Sequence, residues 1–124
     1  LLALLTELSQ TTGMPFSKMI LGGFSQGGAM TLDVGVRLPL AGLMVLSGYL
    51  HSPLQPEMAA LPPALVVHGT QDAVVPIQSA QQVRETLQGM KCKLQYAEYP
   101  MGHEILPIVL EKIQTFVKDI LPAH

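Results

Sequence analysis

Apolar positions along this chain alternate between two rhythms. Leucines at 1, 4, 5 and 8 recur at the three-to-four spacing of a helix face, so a helix is predicted over residues 1–12, with Gly13 placed to end it. Four stretches of strand length follow: about 18–24, Ala41 to Ser47, Ala64 to His68, and Lys93 to Tyr99. The first three are almost continuously apolar and the last alternates. Helical patterns fill the gaps. One runs from the residue after Ser25 to about Leu38, where Pro39 stops it, with Gly35 weakening its interior. A second covers about 77–89, and a third covers Glu104 to Leu121 with Pro107 near its start, where proline is tolerated. Loops are predicted at Gly48 to Pro63 and Gly69 to Pro76. Strands that are apolar throughout and alternate with helices indicate a parallel sheet covered on both faces. About four strands with crossovers make a partial doubly wound sheet, whose ligand site lies beyond the carboxyl ends of the strands.

Composition narrows this picture. The 124 residues are one domain's worth of chain or less, so residues 1–124 are taken as a single, truncated α/β domain. The chain opens on Leu in the middle of a helical pattern, which reads as a fragment. Net charge is only −2, and the seven Lys and Arg are scattered without a basic stripe, which argues against nucleic acid as a partner. Gly, Pro and charged residues interrupt every hydrophobic stretch, so no integral membrane segment is expected. The opening leucines lack the basic flank of a signal core. The single cysteine, Cys92, rules out an internal disulfide and fits a reducing compartment, so the cytoplasm is the expected location. Lys91 and Lys93 beside it could lower its pKa, although an incidental surface thiol is the simpler account.

The chemistry centres on Gly23-Phe24-Ser25-Gln26-Gly27, at the junction of a strand and a helix. A turn that throws one side chain clear of a sheet strains its own backbone and crowds the residues two before and two after, which here are Gly23 and Gly27. The outcome is a hydroxyl at the mouth of the sheet, over the positive end of a helix. Serine is a weak nucleophile at neutral pH and needs a base within hydrogen-bond reach, itself oriented by a third group. Of four histidines, His124 is terminal and His51 sits in the long loop. His68 ends a strand, where a structural role is favoured over one lining the site. His103 follows the last strand through Tyr99-Pro100-Met101-Gly102 and opens the final helix, which suits a base that swings over the serine. Asp72, in the loop after the third strand, suits the orienting acid and can also organise that loop as an Asx turn. Asp33 lies within a helix, Glu98 lies inside a strand, and Glu104 is placed to complement a helix start. The order Ser25, Asp72, His103 is the chain order of α/β-hydrolases. The backbone N–H of Gln26 is the candidate oxyanion donor. No His-Glu-x-x-His or spaced Cys/His set points to a metal, and no phosphate-loop Lys or Gly-x-Gly-x-x-Gly points to a nucleotide.

Three blocks carry a resemblance: Gly22 to Ala29, His68 to Pro76 and Tyr99 to Glu104. In sequence and order they resemble the phospholipase/carboxylesterase family, which includes acyl-protein thioesterases and lysophospholipase-like esterases. The resemblance implies a partial α/β-hydrolase fold whose amino-terminal strands are missing from this sequence, together with the loop that carries the second oxyanion donor. It implies Ser25 as nucleophile, Asp72 as orienter and His103 as general base and then acid, cleaving esters or thioesters through an acyl-enzyme without metal or cofactor. The expected partner is a small-molecule ester or acylated substrate. The competing reading is a non-catalytic binding module or inactive fragment of the same fold. The first strand is left at an open sheet edge, and the Leu-, Pro- and Met-containing loop 49–62 is a candidate wall for an acyl chain.

Overall fold

The computed structural model describes residues 10–56 and 60–121. The leucine face of the first predicted helix lies outside these residues; Gln10 to Thr12 are helical and Gly13, at φ 71°, ends them. A short 3-10 turn, Phe16–Lys18, leads into β1 (Ile20–Phe24). Then follow α1 (Gln26–Gly35), β2 (Gly42–Leu46), β3 (Ala64–Gly69), α2 (Ile77–Gly89), β4 (Leu94–Tyr99) and α3 (Pro107–Ile120). The four strands form one parallel sheet in the order β1-β2-β3-β4.

Alternation along the strands divides the core in two. Leu43, Val45, Ala64 and Val66 face one way and pack against Leu32 of α1, Val36 just after it, and Val83 and Leu87 of α2. Leu46, Leu65 and Val67 face the other way, onto Val109 and Phe116 of α3. Every residue of β3 is buried, as a central parallel strand requires. Each large aliphatic side chain fully removed from water contributes about 1.5–3 kcal/mol. The crossovers through α1 and α2 share one face, as right-handed connections moving steadily across a sheet must. The β2–β3 connection sends Leu54 into the core on that same face.

Two helix boundaries differ from the sequence expectation. Helix α1 stops at Gly35, and a tighter turn carries the chain to Leu38 through Arg37 N–H bonding to Val34 O at 3.0 Å. Gly35 is less a weak point than a point of contact: a Cβ there would stand 2.2 Å from Leu43 Cδ2, so the glycine lets α1 lie close on β2. Helix α3 begins at Pro107, not at Glu104. A proline bars the residue before it from helical backbone, and Leu106 is extended at ψ 163°. His103 and Glu104 therefore sit in a loop, and Glu104 caps no helix; its Oε2 accepts the Gly102 N–H at 3.0 Å.

Candidate active site

The strand register places the carboxyl ends level. Phe24 pairs with Leu46 and Gly69 with Tyr99, so the residues that follow emerge along one rim. At the end of β1 the Ser25 N–H still bonds Leu46 O at 2.9 Å, and the backbone then turns sharply, with Ser25 at φ 58° and ψ −116°. This is a left-handed conformation for a residue with a side chain, of the kind that stores about 1–3 kcal/mol. The turn demands a glycine at position 23, where a Cβ would lie 2.2 Å from Gly27 O. The expected demand at position 27 is not found: a Cβ there meets nothing within 4 Å among the described residues. The second tight place is Gly28, whose Cβ would come 3.1 Å from Gly48 Cα. That contact draws the loop after β2 against the start of α1.

Gly28 N–H donates to Ser25 O at 3.0 Å, which leaves the Gln26 amide ahead of it at the open amino end of α1. Backbone donors at a helix start favour negative charge.

His103 reaches Ser25 because two loops are stitched together. Thr70 N–H donates to Tyr99 O at 2.9 Å and Gln71 N–H to Met101 O at 3.0 Å. Gly69 makes this possible, since a Cβ there would stand 2.2 Å from Met101 O. Met101 is buried at the join. The imidazole that results has Nε2 3.0 Å from Ser25 Oγ and Nδ1 2.7 Å from Asp72 Oδ2. Asp72 keeps its side chain wholly out of solvent. Its Oδ1 accepts the N–H groups of Val74 at 2.8 Å and Val75 at 2.7 Å, which is an Asx turn. Burial works to raise the Asp72 pKa. The bonds from Val75, His103 and Val74 outweigh it, and the carboxyl is held below its usual value as an anion.

Three side chains from the ends of β1, β3 and β4 thus form a continuous hydrogen-bonded relay. The remaining candidates lie elsewhere. His51 is exposed, and His124 lies outside the described residues. His68 is buried beneath the acid loop, its Nε2 2.7 Å from Val75 O. Asp33 stays on α1, and Glu98 accepts the Tyr96 hydroxyl at 2.6 Å on the outer strand. Cys92 is half-buried, and Lys91 and Lys93 do not lower its pKa. Burial pushes its thiol up, and Sγ donates to Pro62 O at 3.3 Å. Among the described residues no group of three His, Cys, Asp or Glu could hold a metal ion, and no helix is long and apolar enough to cross a membrane.

Sequence reasoning missed Phe24 as a site residue. Its ring lies 4.6 Å from the His103 imidazole, tilted by 39°. Its position between Gly23 and Ser25 was the only available signal. A cleft of about 450 Å³ opens at Ser25, walled by Tyr49 and Leu50 on one side and by Val75, Pro76, Ser79 and Gln82 on the other. A second cleft of about 420 Å³ shares Leu50 and Gln82 and runs on along α2 to Thr86 and Met90.

Comparison with known proteins agrees with this architecture. The chain is 35% identical over 121 residues to acyl-protein thioesterase 1 of Neurospora crassa, covering 90% of this chain and 49% of that protein. It is 29% identical to lysophospholipase-like protein 1 of Mus musculus, covering 91% of this chain and 51% of that protein. It therefore spans about half the length of the curated relatives it matches. Among solved structures, esterase PE8 superposes with a TM-score of 0.90 at 34% identity, over 97% of this chain and 58% of that one. Arabidopsis thaliana SOBER1 superposes with a TM-score of 0.82 at 30% identity, over 94% and 60%. The parallel sheet with helices on both faces is part of an α/β-hydrolase fold. With residues 2–121 matching that family's pattern, the chain belongs to the phospholipase/carboxylesterase family.

Proposed function

We propose that this chain carries the catalytic relay of a serine hydrolase that cleaves carboxylic esters or thioesters through an acyl-enzyme. The observation that carries the proposal is the pair of hydrogen bonds at His103, to Ser25 Oγ at 3.0 Å and to Asp72 Oδ2 at 2.7 Å. Ser25 is the nucleophile, His103 the general base and Asp72 the group that orients it. With Asp72 accepting from Nδ1–H, Nε2 presents its lone pair to the serine. Ser25 Oγ attacks the acyl carbonyl while its proton passes to Nε2. That proton then goes to the leaving alcohol or thiol as the carbon–oxygen or carbon–sulfur bond breaks. Water, deprotonated by the same nitrogen, attacks the acyl-serine; the bond from the acyl carbon to Oγ breaks, Nε2 returns the proton to Ser25 Oγ, and the acid leaves. The Gln26 N–H faces the developing oxyanion, where one such donor is worth about 10²–10³ in rate.

The cleft between Tyr49, Leu50 and α2 suits the acyl group, which makes the start of loop 49–62 its wall. The names of the relatives, thioesterase and esterase, support an acylated or ester substrate. We read residues 1–124 as part of a single hydrolase domain acting in the cytoplasm. A second reading, a non-catalytic module of the same fold, draws on the chain's covering only half of its relatives' length. The two readings separate on a panel of p-nitrophenyl and S-acyl esters. The hydrolase reading expects turnover that Ser25→Ala abolishes and that chelators leave intact. Turnover unchanged by Ser25→Ala, or none from the folded protein, overturns it.

A further inference from the structure

A second imidazole lies beneath the acid loop, outside the relay. His68 is the penultimate residue of β3 and is fully shielded from solvent. Its Nε2 carries the proton and donates to Val75 O at 2.7 Å, because a carbonyl oxygen can only accept. The same nitrogen stands 3.5 Å from Asp72 Oδ2, and Nδ1 has no partner among the described residues. An unpartnered nitrogen in the interior lowers stability. A leucine or phenylalanine would fill the space without that loss. The ring is therefore explained by its Nε2–H, not by its bulk.

That bond acts on Val75. The carbonyl of Val75 is held by His68, and its N–H is held by Asp72 Oδ1 at 2.7 Å. Pro76 follows with φ −63°, which fixes the exit from the loop. With Oδ1 committed to Val74 and Val75, the plane of the carboxylate is set by where those amides stand. Oδ2 is then presented to His103 Nδ1 at 2.7 Å. A shift of the Val75 peptide would swing Oδ2 away from that line.

We propose that His68 is a positioning residue: by gripping Val75 it orients the Asp72 carboxylate, and so sets the tautomer and direction of His103. The proposal builds on the hydrolase reading of the Ser25 relay, and its test separates the two. His68→Phe keeps a ring and removes the donor, whereas His68→Gln returns an N–H near the place of Nε2. Two readouts are taken: kcat and KM on a short p-nitrophenyl ester, and the ring nitrogen chemical shifts of His103, which report its tautomer. The proposal expects His68→Phe to lower kcat by about 10–100-fold with little change in KM, the scale of a small misplacement in a catalytic group. It expects the His103 ring to pass from the Nδ1–H form to a mixture of tautomers, and His68→Gln to return both readouts toward wild type. Should His68→Phe not fold, His68→Leu carries the same expectation. A folded donor-less variant with wild-type kcat and a wild-type His103 tautomer overturns the proposal, as does a His68→Gln variant that rescues neither. If the wild-type protein hydrolyses no ester, the hydrolase reading fails, and the His103 tautomer in the variants still decides the role of His68.

Discussion

Replacing Asp72 with Asn separates the two jobs its carboxylate performs. The amide oxygen of Asp72→Asn can still accept from Val74 and Val75, so the loop keeps the bonds measured at 2.8 and 2.7 Å. The other side of the group changes sign. Where Oδ2 accepts from His103 Nδ1 at 2.7 Å, an NH₂ group now faces an N–H. The imidazole relieves this by moving its proton to Nε2, which turns a donor toward Ser25 Oγ and removes the base. In a Ser-His-Asp relay this change lowers kcat by about 10⁴, or about 5.4 kcal/mol at 1.36 kcal/mol per decade. The stability loss is smaller: one charge-assisted bond, about 1.5–3 kcal/mol. It also depends on pH. The folded Asp72 pKa lies below its unfolded value, so the carboxylate's contribution is complete above the ordinary carboxylate range of about 3.9 and disappears as pH falls through the folded value. The gap in Tm between wild type and Asp72→Asn is therefore widest at neutral pH and closes in acid. Stopped assays on a p-nitrophenyl ester and thermal melts from pH 3 to 7 measure both effects. Wild-type turnover in Asp72→Asn, or a Tm gap that widens in acid, would mean that the Asp72 carboxylate does not hold His103 in this way.

The glycines of the serine turn are not equivalent. Gly23→Ala drives a Cβ into the Gly27 backbone and is expected to abolish activity and lower Tm sharply, whereas Gly27→Ala meets open space and melts no lower than wild type. Melts and ester hydrolysis on the two variants check this, and equal damage from both contradicts it. Phe24→Ala removes the ring against His103. It is expected to slow hydrolysis about 2–10-fold, matching the 0.5–1.5 kcal/mol of an aromatic pair; no change in kcat counts against a supporting role. Burial raises the Cys92 pKa. Iodoacetamide at pH 8 should therefore alkylate it more slowly than a free cysteine peptide, and faster labelling would contradict the raised pKa of this half-buried thiol.

Local periodicity reached the backbone of this fold. The bounds of α2 and the interior of each strand follow from patterns within ten or so residues, where strand and helix rhythms are distinct. The three side chains that converge were visible because each follows the end of a strand, and parallel strands bring their carboxyl ends together. What the sequence concealed depends on contacts between distant segments. Gly69 looks like an ordinary first loop residue until Met101, some thirty residues on, is seen to pass over it. Phe24 and His68 are apolar-rhythm positions in their strands, and only tertiary packing turns one ring against His103 and the other nitrogen onto Val75. Gly27 fits the familiar spacing, yet the crowding falls on Gly23 and Gly28. The late start of α3 was the one boundary readable from Pro107, through its restriction on Leu106.

The central claim is that Ser25 Oγ is the atom acylated during turnover. Mass mapping after exposure to a fluorophosphonate tests it directly. A single adduct is expected on the peptide containing Ser25, lost in Ser25→Ala and formed far more slowly in Asp72→Asn. An adduct on any other residue, or labelling of Ser25 at an undiminished rate without the Asp72 carboxylate, would contradict it.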